Sequence, residues 1–361
     1  MKKTPFGVFL YPFVKFDFII IGQGIAGTCF AFELLKHNKT FIIVDNPIKE
    51  NSSSRVALGI YNPLVLKWFT KAWNVENQLE YFYDFYARIN TFFNDSFVSD
   101  TGVYKLLKTA YDQNTWLSKS FSSKRFQYMS NNLLSIDNPS LRNNNFYGFV
   151  KSAGRVNVKK LLDSFRNYCL KKRILIEEKF DYNKLIISPN SVSFKNIVAD
   201  KIIFCQGYQG FGNPYFDNLN FKPTKGEILN IYSKDLRLKH IIHSRFLFTP
   251  IGNDHYAIGA TYNWENINIK PSSEAKKKLV SQLDSILKIP YTITNQIAGI
   301  RPSTADRKPL IGRHEQYKQL YILNGLGTRG ILLAPYLSKC LIEYIYKDVL
   351  IDHEININRC H

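Results

Sequence analysis

The 361-residue sequence predicts an α/β (α+β, two-domain) fold, in which an open parallel sheet wound with helices is interrupted by a domain built on an antiparallel sheet. Three observations predict it. Short, almost wholly apolar runs of β-formers occur at Phe16–Ile21, Thr40–Asp45 and Lys201–Phe204. A glycine-rich turn joins the first of them to a helical pattern, and Phe221–Tyr262 reads as several short strands separated by Gly and Asn turns.

Phe16–Ile21 (FDFIII) ends in Gly22, and a run this apolar suits a strand buried on both faces. Ile25–His37 reads as a helix because Ala26, Cys29, Phe30 and Leu34 share a face, and Asn38 ends it. Thr40–Asp45 (TFIIVD) is the second buried strand, and this β–turn–α–β unit opens a Rossmann-like domain. Asn46–Asn62 is a Ser-rich loop. Val75–Asn94 is a helix whose Leu79, Phe82, Tyr83 and Tyr86 form a stripe of the core-packing kind. Asp100–Asn145 is polar, with a strand over Gly102–Leu107 and a loop over Asn131–Asn145. Val156–Lys171 reads as a helix, Lys201–Phe204 as a short strand leading to Gly207, and Glu274–Lys288 and Ile331–Tyr346 as helices. The nucleotide domain is therefore expected to take residues 16–75, 146–210 and 300–361, and the inserted domain 76–145 and 211–299; two sequential domains are the alternative.

Hydrophobic residues make up 45% and charged ones 21%, which is globular composition and excludes a disordered or fibrous chain. No apolar run reaches the roughly 20 residues that cross a bilayer. Lys2 and Lys3 before Phe6–Phe13 imitate a secretory signal, but Pro12 and Lys15 break the run and no small-residue cleavage site follows. Five cysteines without a CxxC pair suit a reducing, cytoplasmic setting. The net charge of +19 comes from 34 Lys and only 14 Arg against 29 acids, and the lysines are scattered, with clusters at Lys171–Arg173 and Lys276–Lys278. That favours a solvated surface over an RNA-binding face, which is the alternative. No HxxxH or HExxH pair supports a metal mechanism, and His240, His243 and His255 fall in the β-rich segment, where sheet-surface or polar-network roles are expected.

Gly22-Gln23-Gly24-Ile25-Ala26-Gly27 carries the chemistry. Gly22 permits the tight exit from the strand, Gly24 lets the backbone approach a pyrophosphate, and Gly27 lets the helix pack on the strand. The helix start at Ile25 and Ala26 then offers N–H groups and a positive dipole end to phosphates. Asp45 ends the next strand, 21 positions after Gly24, close to the spacing of about 20 at which a carboxylate meets ribose hydroxyls. Its acidity argues against a ribose 2′-phosphate. The motif alone does not separate FAD from NAD.

Further segments do. Ser52-Ser53-Ser54-Arg55-Val56 follows the second strand, Gly154-Arg155-Val156-Asn157 precedes a helix, and Ala199–Gly207 (ADKIIFCQG) forms a strand and turn. Gly299-Ile300-Arg301-Pro302, Pro309-Leu310-Ile311-Gly312 and Gly325-Leu326-Gly327-Thr328-Arg329-Gly330-Ile331-Leu332 come near the end. From about Phe16 to Tyr346 these resemble the FAD-dependent D-amino-acid oxidase superfamily, notably glycine oxidase and the oxidase half of the bifunctional tRNA methylaminomethyl-thiouridine enzyme. The likeness is faint over Glu76–Asn145. It implies non-covalent FAD, since Cys340 lies inside the last helix, and oxidation of a C–N bond by hydride transfer to flavin N5. It also implies that Gly22, Gly24, Ile25, Ala26 and Gly27 cradle the pyrophosphate and Asp45 the ribose. Ser54 and Arg55 would run along the cofactor, and the Val156 backbone would meet the adenine. Gly207 would turn near the FAD, and Gly327, Thr328, Gly330, Ile331 and Leu332 would face the flavin. Arg301 is expected to hold the substrate carboxylate, with a structural ion pair as the alternative; Arg329, in the flavin-facing loop, is expected either at the substrate or in a rim or structural role.

Leu247 stands where glycine oxidases place a carboxylate-binding Tyr, which weighs against glycine itself. No general base is identifiable. The expected activity is oxidation of a small amino acid or secondary amine to an imine that hydrolyses. The alternatives are removal of a carboxymethyl group from a tRNA wobble uridine, with tRNA as partner, and flavin binding without turnover.

Overall fold

A computed structural model describes residues 14–47, 52–121, 127–142 and 146–360. The signal-like stretch at 6–13 lies outside them, as do parts of the loops expected at 46–62 and 131–145.

Leu175–Glu177, Phe41–Asp45, Val14–Ile21, Ile197–Phe204 and Leu320–Asn324 run parallel in an eight-stranded sheet. Leu185–Ser188, Ser191–Phe194 and Leu310–Arg313 join it antiparallel. Alternation explains the apolar runs: Phe18 and Ile20 enter one core with Phe30 and Leu337, whereas Ile19 and Ile21 enter another with Phe194 and Phe204. With water excluded from both faces, the buried half of the strand, Phe18–Ile21, is apolar at every position. The central strand Val14–Ile21 has Phe41–Asp45 on one side and Ile197–Phe204 on the other, with Ile21 level with both Val44 and Phe204. Chain connections diverge at that strand's carboxyl end, and a crevice opens where they part.

The second sheet has seven strands, in the order Thr292–Arg301, Thr224–Tyr232, His255–Gly259, Leu247–Gly252, Ile241–His243, Val103–Leu107 and Phe146–Val150. It is antiparallel except between Ile241–His243 and Val103–Leu107. Leu279 and Leu283, from helix Ser273–Asp284, pack with Leu229, Ile231 and Ile258 on one face, so the other face is left for the crevice.

The differences from expectation have local causes. Phe146–Val150, placed on the nucleotide-domain side of the boundary at 146, is an edge strand of the seven-stranded sheet. The Ser-rich loop holds a short helix, Ser53–Val56. The polar stretch contains a helix, Ala110–Phe121, that hydrophobic periodicity could not reveal: Trp116 and Ser120 are its buried residues. Its anchor is Trp116, which stacks over Gly148 and donates through Nε1 to the Ser130 carbonyl at 3.0 Å. Helix Val158–Lys171 starts two residues late because Asn157 caps it, its side chain accepting from Lys160 N–H. The last helix is Gly330–Lys347.

Candidate functional site

The glycine turn is dictated by close approach. Gly22 has φ +101°, and a Cβ there would lie 2.6 Å from the Cys205 carbonyl oxygen; at Gly27 it would lie 1.9 Å from the Gly22 oxygen. Helix Ile25–Lys36 can therefore rest on the strand exit only with glycine at both places. Gly24 is its N-cap, without a side-chain cap and with no acid in the first turn. The Ile25 N–H donates to Ser54 Oγ at 3.1 Å. The last helix also begins uncapped and acid-free, at Arg329. A Cβ on Gly330 would touch Ile25 Cγ2 at 3.4 Å, so the two positive helix ends lie side by side.

Both helix starts open into one cavity of about 1000 Å³. That is the upper end of the ~300–1,000 Å³ typical of ligand pockets, leaving room for an extended cofactor and a small substrate. Of the expected residues, Gly22, Gly24, Ile25, Ala26, Asp45, Ser54, Gly207, Arg301, Gly327, Thr328, Gly330 and Ile331 line it. Gly27, Arg55, Val156, Arg329 and Leu332 do not. Gly27 acts one layer back, as the helix contact. Arg55 is turned by its short helix toward Val158–Lys171, where it pairs with Asp163. The Val156 N–H is used on the Gly59 carbonyl at 2.8 Å, and Val158 reaches the cavity instead. Leu332 is a core residue.

Asp45 is held from two sides: Gln23 N–H donates to its Oδ1 at 2.7 Å and Arg166 Nη1 to its Oδ2 at 2.8 Å. Arg166 also donates to Gln23 Oε1 at 3.1 Å and pairs with Glu177 at 2.5 Å. Burial works against the Arg166 charge, but the hydrogen bonds to Glu177 and Asp45 outweigh it and raise its pKa. No local pattern marks Arg166; it is selected by three strand ends meeting beneath one helix.

At the other end of the cavity stands Arg301, last residue of its strand. Its Nη1 and Nη2 each donate to the Thr261 carbonyl at 3.1 Å, and the guanidinium carbon lies 4.4 Å from the Tyr262 ring centroid. Burial pulls its pKa below the usual range, opposed by the Tyr262 phenol. No carboxylate pairs with it among the described residues, so the structural ion pair weighed above is absent there. Gly226 makes room for it: a Cβ would lie 2.3 Å from Nη2.

Arg329 does something else. Its Nη2 donates to the Asn62 carbonyl at 2.7 Å, and burial draws its pKa down to about 10. Arg155 Nε likewise donates to the Leu58 carbonyl at 3.0 Å. The two guanidiniums brace the segment at 58–62, part of which forms the cavity wall.

Sequence reading also missed a buried pair under the rim. Lys225 Nζ lies 3.3 Å from Glu227 Oε1, 3.2 Å from Asn268 Oδ1 and 2.5 Å from the Lys270 carbonyl. Glu227 accepts from Ser272 N–H at 2.8 Å, Ser272 Oγ at 2.7 Å and Gln296 Nε2 at 2.8 Å. The loop carrying Ile267, Asn268 and Ile269 into the cavity is thus tied to the sheet. Among the histidines, His255 Nδ1 lies 2.8 Å from the Asn253 carbonyl, and His240 packs 4.7 Å from the Tyr104 ring. His243 is drawn down to about 3 by burial and then by Lys105.

A glycine turn and two helix starts whose N-cap residues make no side-chain cap, at the carboxyl end of a parallel sheet, define a dinucleotide-binding protein. The chain belongs to the family of FAD-dependent oxidoreductases (DAO), which it matches over residues 17–344, and FAD is the cofactor. It is 29% identical over 154 residues to glycine oxidase of Bacillus subtilis, covering 40% of this chain and 38% of that protein. It is 23% identical over 153 residues to the tRNA 5-methylaminomethyl-2-thiouridine biosynthesis bifunctional protein MnmC of Idiomarina loihiensis, covering 40% and 25%. The matched stretches are less than half the length of either relative. The fold is shared with a crystal structure of glycine oxidase from Bacillus cereus, at a TM-score of 0.77, 23% identity and coverage of 94% and 96%. The expected two-domain α/β class is borne out. The residues present suit FAD: at Gly24 a Cβ would stand only 3.2 Å from Ser54 Oγ, in the gap between the helix start and the loop beside it. No helix among the described residues is long and apolar enough to cross a membrane.

Proposed function

We propose that the chain binds FAD non-covalently and oxidises a C–N bond in a small amino acid or carboxylate-bearing secondary amine, leaving an imine that water hydrolyses. The observation that carries this reading is Arg301, a largely buried guanidinium in the cavity wall that, among the described residues, is hydrogen-bonded only to backbone carbonyls. A buried cation without a counter-ion is costly, and a substrate carboxylate supplies the missing anion with two charge-assisted hydrogen bonds. Held so, the neighbouring C–N bond is fixed in direction, which is the main catalytic contribution the protein makes in this scheme. FAD, when bound, supplies the hydride acceptor. Gly22, Gly24, Ile25 and Ala26 would take the diphosphate, Asp45 the ribose, and Gly327 to Ile331 the ring, where a helix start favours negative charge.

The corresponding FAD-binding domain is 16–75, 151–210 and 300–361 together with helix Val75–Phe93, which packs on Phe32 and Glu33 of the first helix, and the substrate domain is the rest of 76–150 with 211–299. The five free cysteines, three of them buried, support a cytoplasmic protein. The second reading, a carboxymethyl group on a tRNA wobble uridine, is favoured by the +19 charge; the exposure of Lys171–Arg173 and Lys276–Lys278 fits solvation equally. The test is anaerobic addition of N-methylglycine to the yellow protein. Bleaching of the flavin that Arg301→Ala abolishes, with flavin content unchanged, is the expected result; bleaching that survives the substitution overturns the assignment.

A further inference from the structure

We propose that Tyr262 and Trp264 form an aromatic shelf at the cavity mouth, which takes a flat ring carried on the nitrogen of the substrate amine. The proposal rests on Arg301 holding the carboxylate, as above, and adds what lies at the substrate's other end.

Tyr262 lines the cavity and lies against the Arg301 guanidinium, so a substrate anchored there runs past this ring on its way out. Trp264 stacks on Tyr262 with centroids 5.9 Å apart and planes 23° apart. The Tyr is 53% exposed and the Trp 54%, so this pair is not core packing. The backbone beneath it is fixed. Asn263, between the two rings, exchanges both backbone hydrogen bonds with Lys225, at 2.9 and 3.0 Å. Its side chain accepts from Glu265 N–H at 2.9 Å and Asn266 N–H at 3.0 Å. Five residues on, Asn268 is tied to the buried Lys225 ammonium. Two large rings tilted 23° to each other, half-exposed and adjoining an anion site, present a preformed π-surface. Such a surface costs little to order and can stack any flat ring.

The recognised chemistry is therefore a carboxylate and a planar ring joined through an amine, whether the ring belongs to a free aromatic amine or to a base in RNA. The test compares N-benzylglycine with N-methylglycine on the FAD-loaded protein, read as dissociation constants from the concentration dependence of the anaerobic bleaching rate. The wild type should bind the benzyl compound about tenfold tighter or more. Trp264→Ala should bring that ratio near one while leaving N-methylglycine affinity unchanged, and Trp264→Phe should restore most of it. Equal affinities in the wild type, or a ratio indifferent to Trp264→Ala, overturn the shelf. Failure of the carboxylate reading shows separately, as N-methylglycine affinity unmoved by Arg301→Ala. The ring's source is read with an anticodon stem-loop bearing carboxymethylaminomethyl-uridine against the free nucleoside. Tighter, salt-sensitive, Trp264-dependent binding of the stem-loop selects RNA. Equal, Trp264-dependent binding selects a small amine, and binding of both that ignores Trp264→Ala overturns the shelf.

Discussion

The two ends of the cavity are built by opposite means. At the cofactor end the shape comes from backbone and from missing side chains: Gly22, Gly24 and Gly27 fall within one six-residue turn, where a Cβ would meet the Cys205 carbonyl, the Ser54 hydroxyl and the Gly22 carbonyl in turn. At the substrate end the shape comes from side chains on separate strands. Arg301 faces Thr224 in the sheet register, Gly226 clears its path, and Thr261, Lys225 and Glu227 hold its surroundings. A local backbone site tolerates little at a few positions, whereas an assembled site depends on register across three strands. Substitutions at the two ends should therefore fail in different ways.

The largest separation is expected from Arg301→Ala. Losing a bidentate charged contact of about 3 kcal/mol should lower kcat/KM roughly 10²-fold or more with flavin retained, and Arg301→Lys should not restore it. Gly27→Ala is the counterpart at the cofactor end. The added Cβ collides with backbone, so stability should fall by about 3 kcal/mol and flavin content with it, as measured by thermal unfolding and visible absorbance.

Between the two ends, Arg166→Ala should sharpen the contrast. It removes the Arg166 contact to Asp45 and should weaken FAD binding about tenfold while sparing the KM for the amine. His243 supplies a pH test on the substrate-side sheet. Its pKa in the fold is about 3 against 6.5 ordinarily, lowered by burial and then by Lys105. Between these values the unfolded chain binds the extra proton, so stability should fall as pH drops from 6.5 toward 3. The slope approaches ~1.4 kcal/mol per pH unit at most, and denaturation of His243→Leu should show a flatter profile. The smallest effect is expected from Arg329→Ala. Away from the cavity and braced on Asn62, it should cost about 1–2 kcal/mol of stability and change turnover only a few-fold.

What could be read from the chain follows the same division. The buried strands were legible because burial on both faces forces an unbroken apolar run, and the glycine turn because its constraint falls on adjacent residues. Helix Ala110–Phe121 was not, since one tryptophan rather than a stripe anchors it. Arg301 could be singled out through its segment, but the lack of an anionic partner for it among the described residues could not. That property belongs to the space around Thr261 and Tyr262, some 40 positions earlier. Arg55 and Arg329 sit beside cavity residues in sequence and point elsewhere, because a helical turn sends neighbouring side chains in different directions. The Lys225–Glu227 network joins residues up to 69 positions apart and leaves no local trace.

The most direct measurement sets N-methylglycine against N-methylglycinamide, which differ in the carboxylate alone. Anaerobic mixing with the flavin-loaded enzyme should bleach it with the acid and leave it oxidised with the amide. Equal rates of bleaching by the two would show that the guanidinium at 301 does not grip the substrate's anion.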